Sequence, residues 1–292
     1  MNRRTFLLSV PFVLPIYSRL WQGEKIAART EDENLEICQA KFDFAIKRNL
    51  YTKPIGEIVA ELAASFIGVD YEANSLEQAD DERLIINLRT LDCVLLYENA
   101  LALARCIKCK ATTYDAFKKE LQLLRYRGGV INCYISRLHY TTDYFYDNEK
   151  KGTLRDITKS LGGIPYRKQI NFMSSHPEKY FQLQNNSENL NAMKRIEGDL
   201  NKRTKYYLPK SQIKKVAYKI MNGDILGITT NINGLDCSHT GVAYYQNGVP
   251  HLLHAPKLGL KVQITQTPLW KYLEQNKMQT GIIVARPIEP TC

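Results

Sequence analysis

Near the C-terminal end, the dipeptide Asn247-Gly248 separates two stretches, SHTGVAYYQ and VPHLLHA, in which apolar residues recur at every second position. Asn-Gly is the preferred two-residue hairpin loop because both central positions need positive φ, so the dipeptide sets an antiparallel pairing and its register together. Gln246 is expected opposite Val249, which puts His254 opposite Gly241 and His251 opposite Tyr244. Residues two apart on a strand share a face. His239 and His254 are therefore expected as diagonal neighbours on one face, with His251 on the other. A three-residue loop would instead bring His251 to that face.

The same period extends to strands over 224–230, 239–246, 249–255, 260–265 and 281–286. Upstream the pattern is helical. In IGEIVAELAASFIG, following Pro54, the residues Ile55, Ile58, Val59, Leu62, Ala63 and Phe66 fall at helical spacing, with Gly68 as the stop. VLLYENALALAR, within a helix from about Asp92 to Arg105, is apolar nearly all round and is expected to be buried. Further helices are expected over 114–125 and 186–202. They lie in a charged, tyrosine-rich stretch, about 112–219, read as a large insertion. Helices first and strands later argue for an α+β fold.

With 292 residues and 44% apolar composition the chain can bury a full core. The arrangement expected is a leading segment over 1–28 and a single domain over 29–292. MNRRTFLLSVPFVLPIY has the order of a signal peptide, and RRTFL resembles a twin-arginine export signal. Its apolar run is shorter than the ~20 residues that span a bilayer and carries Pro11 and Pro15, so stable membrane insertion is not expected. Export to the periplasm is the expectation; an amphipathic N-terminal helix on a cytoplasmic protein is the alternative. The net charge of +10 favours anionic partners. The basic residues are scattered from Lys41 to Arg286 without a nucleic-acid-binding motif, so no nucleic-acid partner is expected.

Seven cysteines are too few and too irregular for a disulfide scaffold. Cys93 falls in the first turn of the buried helix, where Asp92 or Thr90 can cap. Unpaired N–H groups and the helix dipole there are expected to lower its pKa and to hold an oxyanion. A buried cysteine alone is more often a small apolar residue. A neighbouring histidine changes the balance, because it can accept the thiol proton while a second orients it. Cys237, two residues before His239 and expected on the same strand face, is a rival nucleophile without a helix N-terminus to activate it. The histidines with Cys237, Asp236 or Cys93 would otherwise be zinc ligands, but no familiar zinc spacing supports this; neither a metal nor a cofactor is expected. Cys106 and Cys109 form a single CxxC and are read as bystanders.

A cysteine at a helix start, a histidine opening a strand and a polar residue on the next strand resemble the NlpC-type papain-like peptidoglycan hydrolases. More closely, the chain resembles the bacterial N-acetylmuramoyl-L-alanine amidase-like family over about 54–286, through LDCVLLYENALALA, LRYRGG, CYISRLHYTTDYF, NFMSSHPEKY, YYLPK, NGDILGITTNINGLDCSHTGVAYY and LLHAPKLGLKV. The resemblance implies a papain-like fold with Cys93 as nucleophile, His239 as base and His254 as the third polar residue. It also implies a substrate groove involving Arg137, His139 and Tyr140, for which an aromatic packing cluster under the insertion is the alternative. Basic residues such as Arg125, Arg127 and Arg137 are expected to meet the peptide carboxylates. The implied activity is hydrolysis of the bond between N-acetylmuramic acid and L-alanine in muropeptides, which are the partners expected. Rival readings are an endopeptidase cutting between D-glutamate and the diamino acid, and a cell-wall-binding module without activity.

Overall fold

The computed structural model describes residues 16–77, 81–257 and 261–292, with side chains from residue 30 onward. Residues 1–15 of the expected signal segment lie outside the described residues, and 16–28 form the start of helix α1 (Ile16–Lys47). Helix α2 (Ile55–Ala64) buries Ile55, Ile58, Val59, Leu62 and Ala63, the face expected from their spacing. Helix α3 (Cys93–Lys108) starts where the Asp92 side chain accepts from Val94 N at 2.9 Å and Leu95 N at 2.7 Å. Every residue from Leu95 to Ile107 is buried. Each fully buried leucine contributes about 2 kcal/mol. The polar residues among them have internal partners: Glu98 pairs with Arg125 at 2.8 Å, Arg105 with Glu120 at 2.6 Å, and Asn99 donates to the Asn87 carbonyl.

Helix α4 (Tyr114–Arg125) has the bounds the sequence suggests, with Thr113 as its cap. It is followed by α5 (Thr141–Lys150), α6 (Phe172–Ser175), α7 (Phe181–Gln184), α8 (Ser187–Lys202), α9 (Lys210–Val216) and α10 (Leu269–Glu274). Two short strands, β1 (Asp70–Tyr71) and β2 (Thr90–Leu91), pair in parallel just before α3. The remaining strands are β3 (Leu154–Asp156), β4 (Ile164–Pro165), β5 (Tyr206–Pro209), β6 (Ile225–Thr230), β7 (Cys237–Gln246), β8 (Val249–His254), β9 (Gln263–Ile264) and β10 (Gln279–Pro287). They form an antiparallel sheet in the order β4-β5-β10-β6-β7-β8-β9, with β3 also on β10. The result is a mixed fold of helices on an antiparallel sheet.

The hairpin register is as expected: Gln246 pairs with Val249 and Tyr244 with His251, across Asn247 at φ 51° and Gly248 at φ 80°. The segment 112–219, by contrast, is woven into the sheet, supplying β3, β4 and β5. Strands of two to four residues are too short for a period-two signal, and backbone bonding to β10 and between β4 and β5 holds them.

The sheet separates two cores. Ile225, Val242, Leu253 and Ile283 pack with α2 and α3. Leu226, Ile228, Ala243, Leu252 and Ile282 pack on the other face with Ile213 of α9 and Leu269 and Leu273 of α10.

Candidate active site

Cys93 opens α3, and the Thr240 Oγ1 hydroxyl donates to its carbonyl at 2.8 Å. Burial, then the negative charge of the neighbouring Asp92, push its thiol up to about 11, while hydrogen bonds from Thr240 and its own backbone N–H act the other way. This corrects the expectation of a lowered pKa. The capping carboxylate that starts the helix occupies Val94 N and Leu95 N and places its charge beside the sulfur. Cys93's own N–H is the helix-end donor left beside the thiol.

His239 on β7 and His254 at the end of β8 share a face, as the register requires. Their rings meet edge to face at 5.0 Å, with His239 Nε2 2.8 Å from His254 Nδ1. One of these two nitrogens donates, so Nδ1 is the nitrogen of His239 left for a further partner. His254 also packs against the Tyr272 ring of α10 at 5.3 Å. Burial lowers the pKa of His239 to about 4 and of His254 to about 3, His239's charge adding to the latter. His251 faces the other way, with Nδ1 2.7 Å from the Thr265 carbonyl.

His239 lies opposite Ile228, on the face covered by α9 and α10, whereas α3 packs on the other face. Cys93 and His239 are linked through β7: Thr240, next in sequence to His239, bonds the start of α3. Tyr272, against His254, lies close enough to Cys93 that a thiolate there would raise its phenol pKa. A bulge across Ile228 and Thr229 leaves Ser238 unpaired and reverses the parity of the strand before it. Cys237 therefore does not share a face with His239. It is buried beside Gly227 and Thr141, with burial holding its thiol well up. Among the described residues, no three His, Cys, Asp or Glu side chains gather as ligands for a metal ion. His239, His254, Ser238, Tyr272 and Gln279 line a groove of about 690 Å3.

Residues 61–282 match the family model described as N-acetylmuramoyl-L-alanine amidase-like. The chain belongs to this amidase-like hydrolase family. An N-acetylmuramoyl-L-alanine amidase of Bacteroides uniformis has a similar structure, at 38% identity and a TM-score of 0.76, covering 80% of this chain and 99% of that one. A Legionella pneumophila protein shares the fold at 21% identity and a TM-score of 0.69, covering 91% of this chain and 98% of that one. No curated protein sequence matches the chain.

In this amidase-like chain the other residues singled out from sequence have internal partners. Arg127 makes a two-pronged contact with Asp143, which Arg203 shares at 2.6 Å. Arg137 is buried and pairs with Glu77 at 2.7 Å and Glu82 at 3.5 Å. Arg125 is 1% exposed against Glu98, which removes it from the residues expected to meet peptide carboxylates. His139 Nε2 lies 2.9 Å from the Tyr134 carbonyl, and Tyr140 donates to Glu197 while accepting from Met173 N. Arg137, His139 and Tyr140 line a separate cavity of about 150 Å3 beside Asp92 and Val94. Cys106 is buried, and Cys109 is bonded to Cys292, so the CxxC is not a unit. Sequence reasoning passed over Thr240, Tyr272 and Gln279. Thr240 was detectable as the residue of opposite parity beside His239; the six-residue α10 carries no comparable signal.

Proposed function

We propose that the chain is a papain-like cysteine amidase that hydrolyses the bond between N-acetylmuramic acid and L-alanine in anhydro-sugar muropeptides. The observation that carries this reading is the His239–His254 contact at 2.8 Å, on a strand tied to Cys93 through Thr240. His239, with its pKa held down near 4, is neutral at pH 7, so the nitrogen not bonded to His254 carries a free lone pair. In the proposed mechanism His239 Nδ1 takes the proton from Cys93 Sγ as the sulfur attacks the lactyl carbonyl. His254 orients the imidazole and shares the charge it acquires. The Cys93 N–H donates to the developing oxyanion. Collapse of the adduct breaks the C–N bond, the His239 proton passes to the leaving L-alanine nitrogen, and a thioester remains. Water, deprotonated by His239, then attacks the thioester, releasing the lactyl carboxylate and restoring the thiol.

Digestion of purified anhydro-muropeptide by wild type and by Cys93→Ala, with products identified by mass, tests this. Intact peptide and free sugar from wild type alone are expected. Activity surviving in Cys93→Ala would remove Cys93 from the mechanism. Dipeptide-sugar fragments would indicate an endopeptidase, and wall binding without products a binding module.

Export to the periplasm is part of the proposal. The twin-arginine-like start and the Cys109–Cys292 disulfide support an oxidising destination. Residues 1–30 fused to a reporter should direct it out of the cytoplasm; retention there would overturn the assignment.

A further inference from the structure

With Arg127 and Arg137 engaged by Asp143 and by Glu77 and Glu82, the cations that read an acidic substrate have to be sought elsewhere. A cavity of about 470 Å3 is lined by Tyr166, Arg167, Lys168, Lys202, Arg203 and Lys205; Arg203 is engaged by Asp143 and Lys202 by Asp199, which leaves Arg167, Lys168 and Lys205 as the cations without a carboxylate bond. Arg167 is exposed and has no carboxylate partner among the described residues. Lys168 and Lys205 are held by neutral groups, the carbonyls of Thr230 and Leu200. Burial lowers the pKa of both lysines and the Asp236 carboxylate opposes it, so each is a partly dehydrated cation whose hydrogen bonds go to carbonyls, and an incoming anion would restore what burial removes.

This cavity adjoins the histidine groove. Lys168 donates to Thr230, whose Oγ1 accepts from Ile232 N at 3.2 Å, and Ile232 lines the groove. On another side the Tyr166 hydroxyl donates to the Asp236 carbonyl at 2.8 Å, and Ser238, just beyond Asp236, also lines the groove. The groove itself presents Lys257 and Lys277 and, among its described lining, no carboxylate. Both concavities are thus cationic, with Thr230 and Asp236 standing between them.

We propose that the pocket around Arg167 and Lys168 is a subsite for the carboxylates of an acidic peptide, the amine-side half of the substrate. The inference rests on the amidase reading above. An extended peptide advances about 3.3–3.6 Å per residue, so the carboxylates of its second and later residues fall in a neighbouring subsite rather than at the scissile bond. Guanidinium and ammonium donors spread round a concave wall suit such separated carboxylates.

The test compares two anhydro-muropeptides differing only in whether the stem carboxylates are free or amidated, with kcat and KM measured for wild type and for Arg167→Gln/Lys168→Gln. Wild type should favour the free acid by about tenfold, mostly in KM, and the ratio should fall toward one in the double variant and at about 0.5 M salt. Lys168→Arg should keep the preference. Equal KM for the two substrates in wild type, or a preference that survives in the double variant, would overturn the subsite while leaving the amidase reading intact. If neither substrate is hydrolysed, the amidase reading fails, and calorimetric titration of wild type with the two stem peptides decides the subsite. Binding abolished by amidation would keep it; equal binding, or none, would overturn it.

Discussion

Thr240 Oγ1 donates a 2.8 Å hydrogen bond to the Cys93 carbonyl across 147 residues of sequence. Because Thr240 follows His239 directly, this bond ties the start of α3 to the strand carrying the histidine. Thr240→Val keeps the shape and removes the donor. It should lower stability by about 1 kcal/mol in thermal unfolding. If Thr240 sets the approach of sulfur to imidazole, kcat should fall about tenfold with KM little changed. A loss of stability without a change in kcat would reduce Thr240 to a packing role.

Protonation at the site predicts a pH profile. With His239 near 4 and Cys93 near 11, both are neutral over the interval between. The value of kcat/KM should be flat through neutral pH, fall on the acid side near pH 4 as His239 takes a proton, and fall on the alkaline side as Cys93 loses its own. An acid limb near 6.5, the ordinary histidine value, would show that burial does not hold His239 neutral.

The parts of this arrangement legible in the sequence are those set by local chemistry. Asn247-Gly248 fixed the register that brings His239 to His254, and Asp92 marked the start of α3. The bulge at Ser238 was hidden, because it arises from pairing with β6 rather than from its own residues, and so the face of Cys237 was misread. The arginines were misread for a related reason. Nothing around Arg125 announces Glu98, 27 residues away, as its partner. The short strands within 112–219 likewise depend on β10 to form.

Acid should destabilise the fold in a definite window. His139, His239 and His254 are held near 3, 4 and 3 by burial, below the ordinary 6.5 they regain on unfolding. Between these values the unfolded chain binds more protons, so stability is fully present above about pH 6.5 and is lost as pH falls toward 4. The melting temperature should drop over that interval, and less steeply in His139→Gln. An unchanged slope in the variant would mean that His139 is not buried neutral.

Arg125 and Glu98 are 1% and 2% exposed and 2.8 Å apart. Burial pushes the Glu98 carboxyl up, and the Arg125 guanidinium opposes it. Removing one partner leaves the other charge in the core. Arg125→Ala should therefore cost about 3–5 kcal/mol, whereas the paired change Arg125→Met with Glu98→Leu should cost far less. Denaturant unfolding of the three proteins measures this. Arg125→Ala with full stability but a raised KM would return Arg125 to the substrate-binding role from which its burial removes it.

The Cys109–Cys292 bond joins the residue capping the end of α3 to the last residue of the chain, closing a loop across 183 residues. In the unfolded chain this cross-link removes many conformations, while in the folded protein β10 already brings the C-terminal residues back to α2: Glu289 accepts from Ile55 N at 2.8 Å and pairs with Lys108 at 3.1 Å. Its contribution should therefore be about 2–4 kcal/mol and act mainly on the unfolded state. Cys292→Ser should lower the melting temperature, and a reductant should lower that of wild type to match without affecting the variant. Because the bond sits at the C-terminal end of α3 and Cys93 at its start, kcat at moderate temperature should be unchanged in Cys292→Ser. A fall in kcat without a fall in melting temperature would show instead that the cross-link sets the position of α3 in the folded protein.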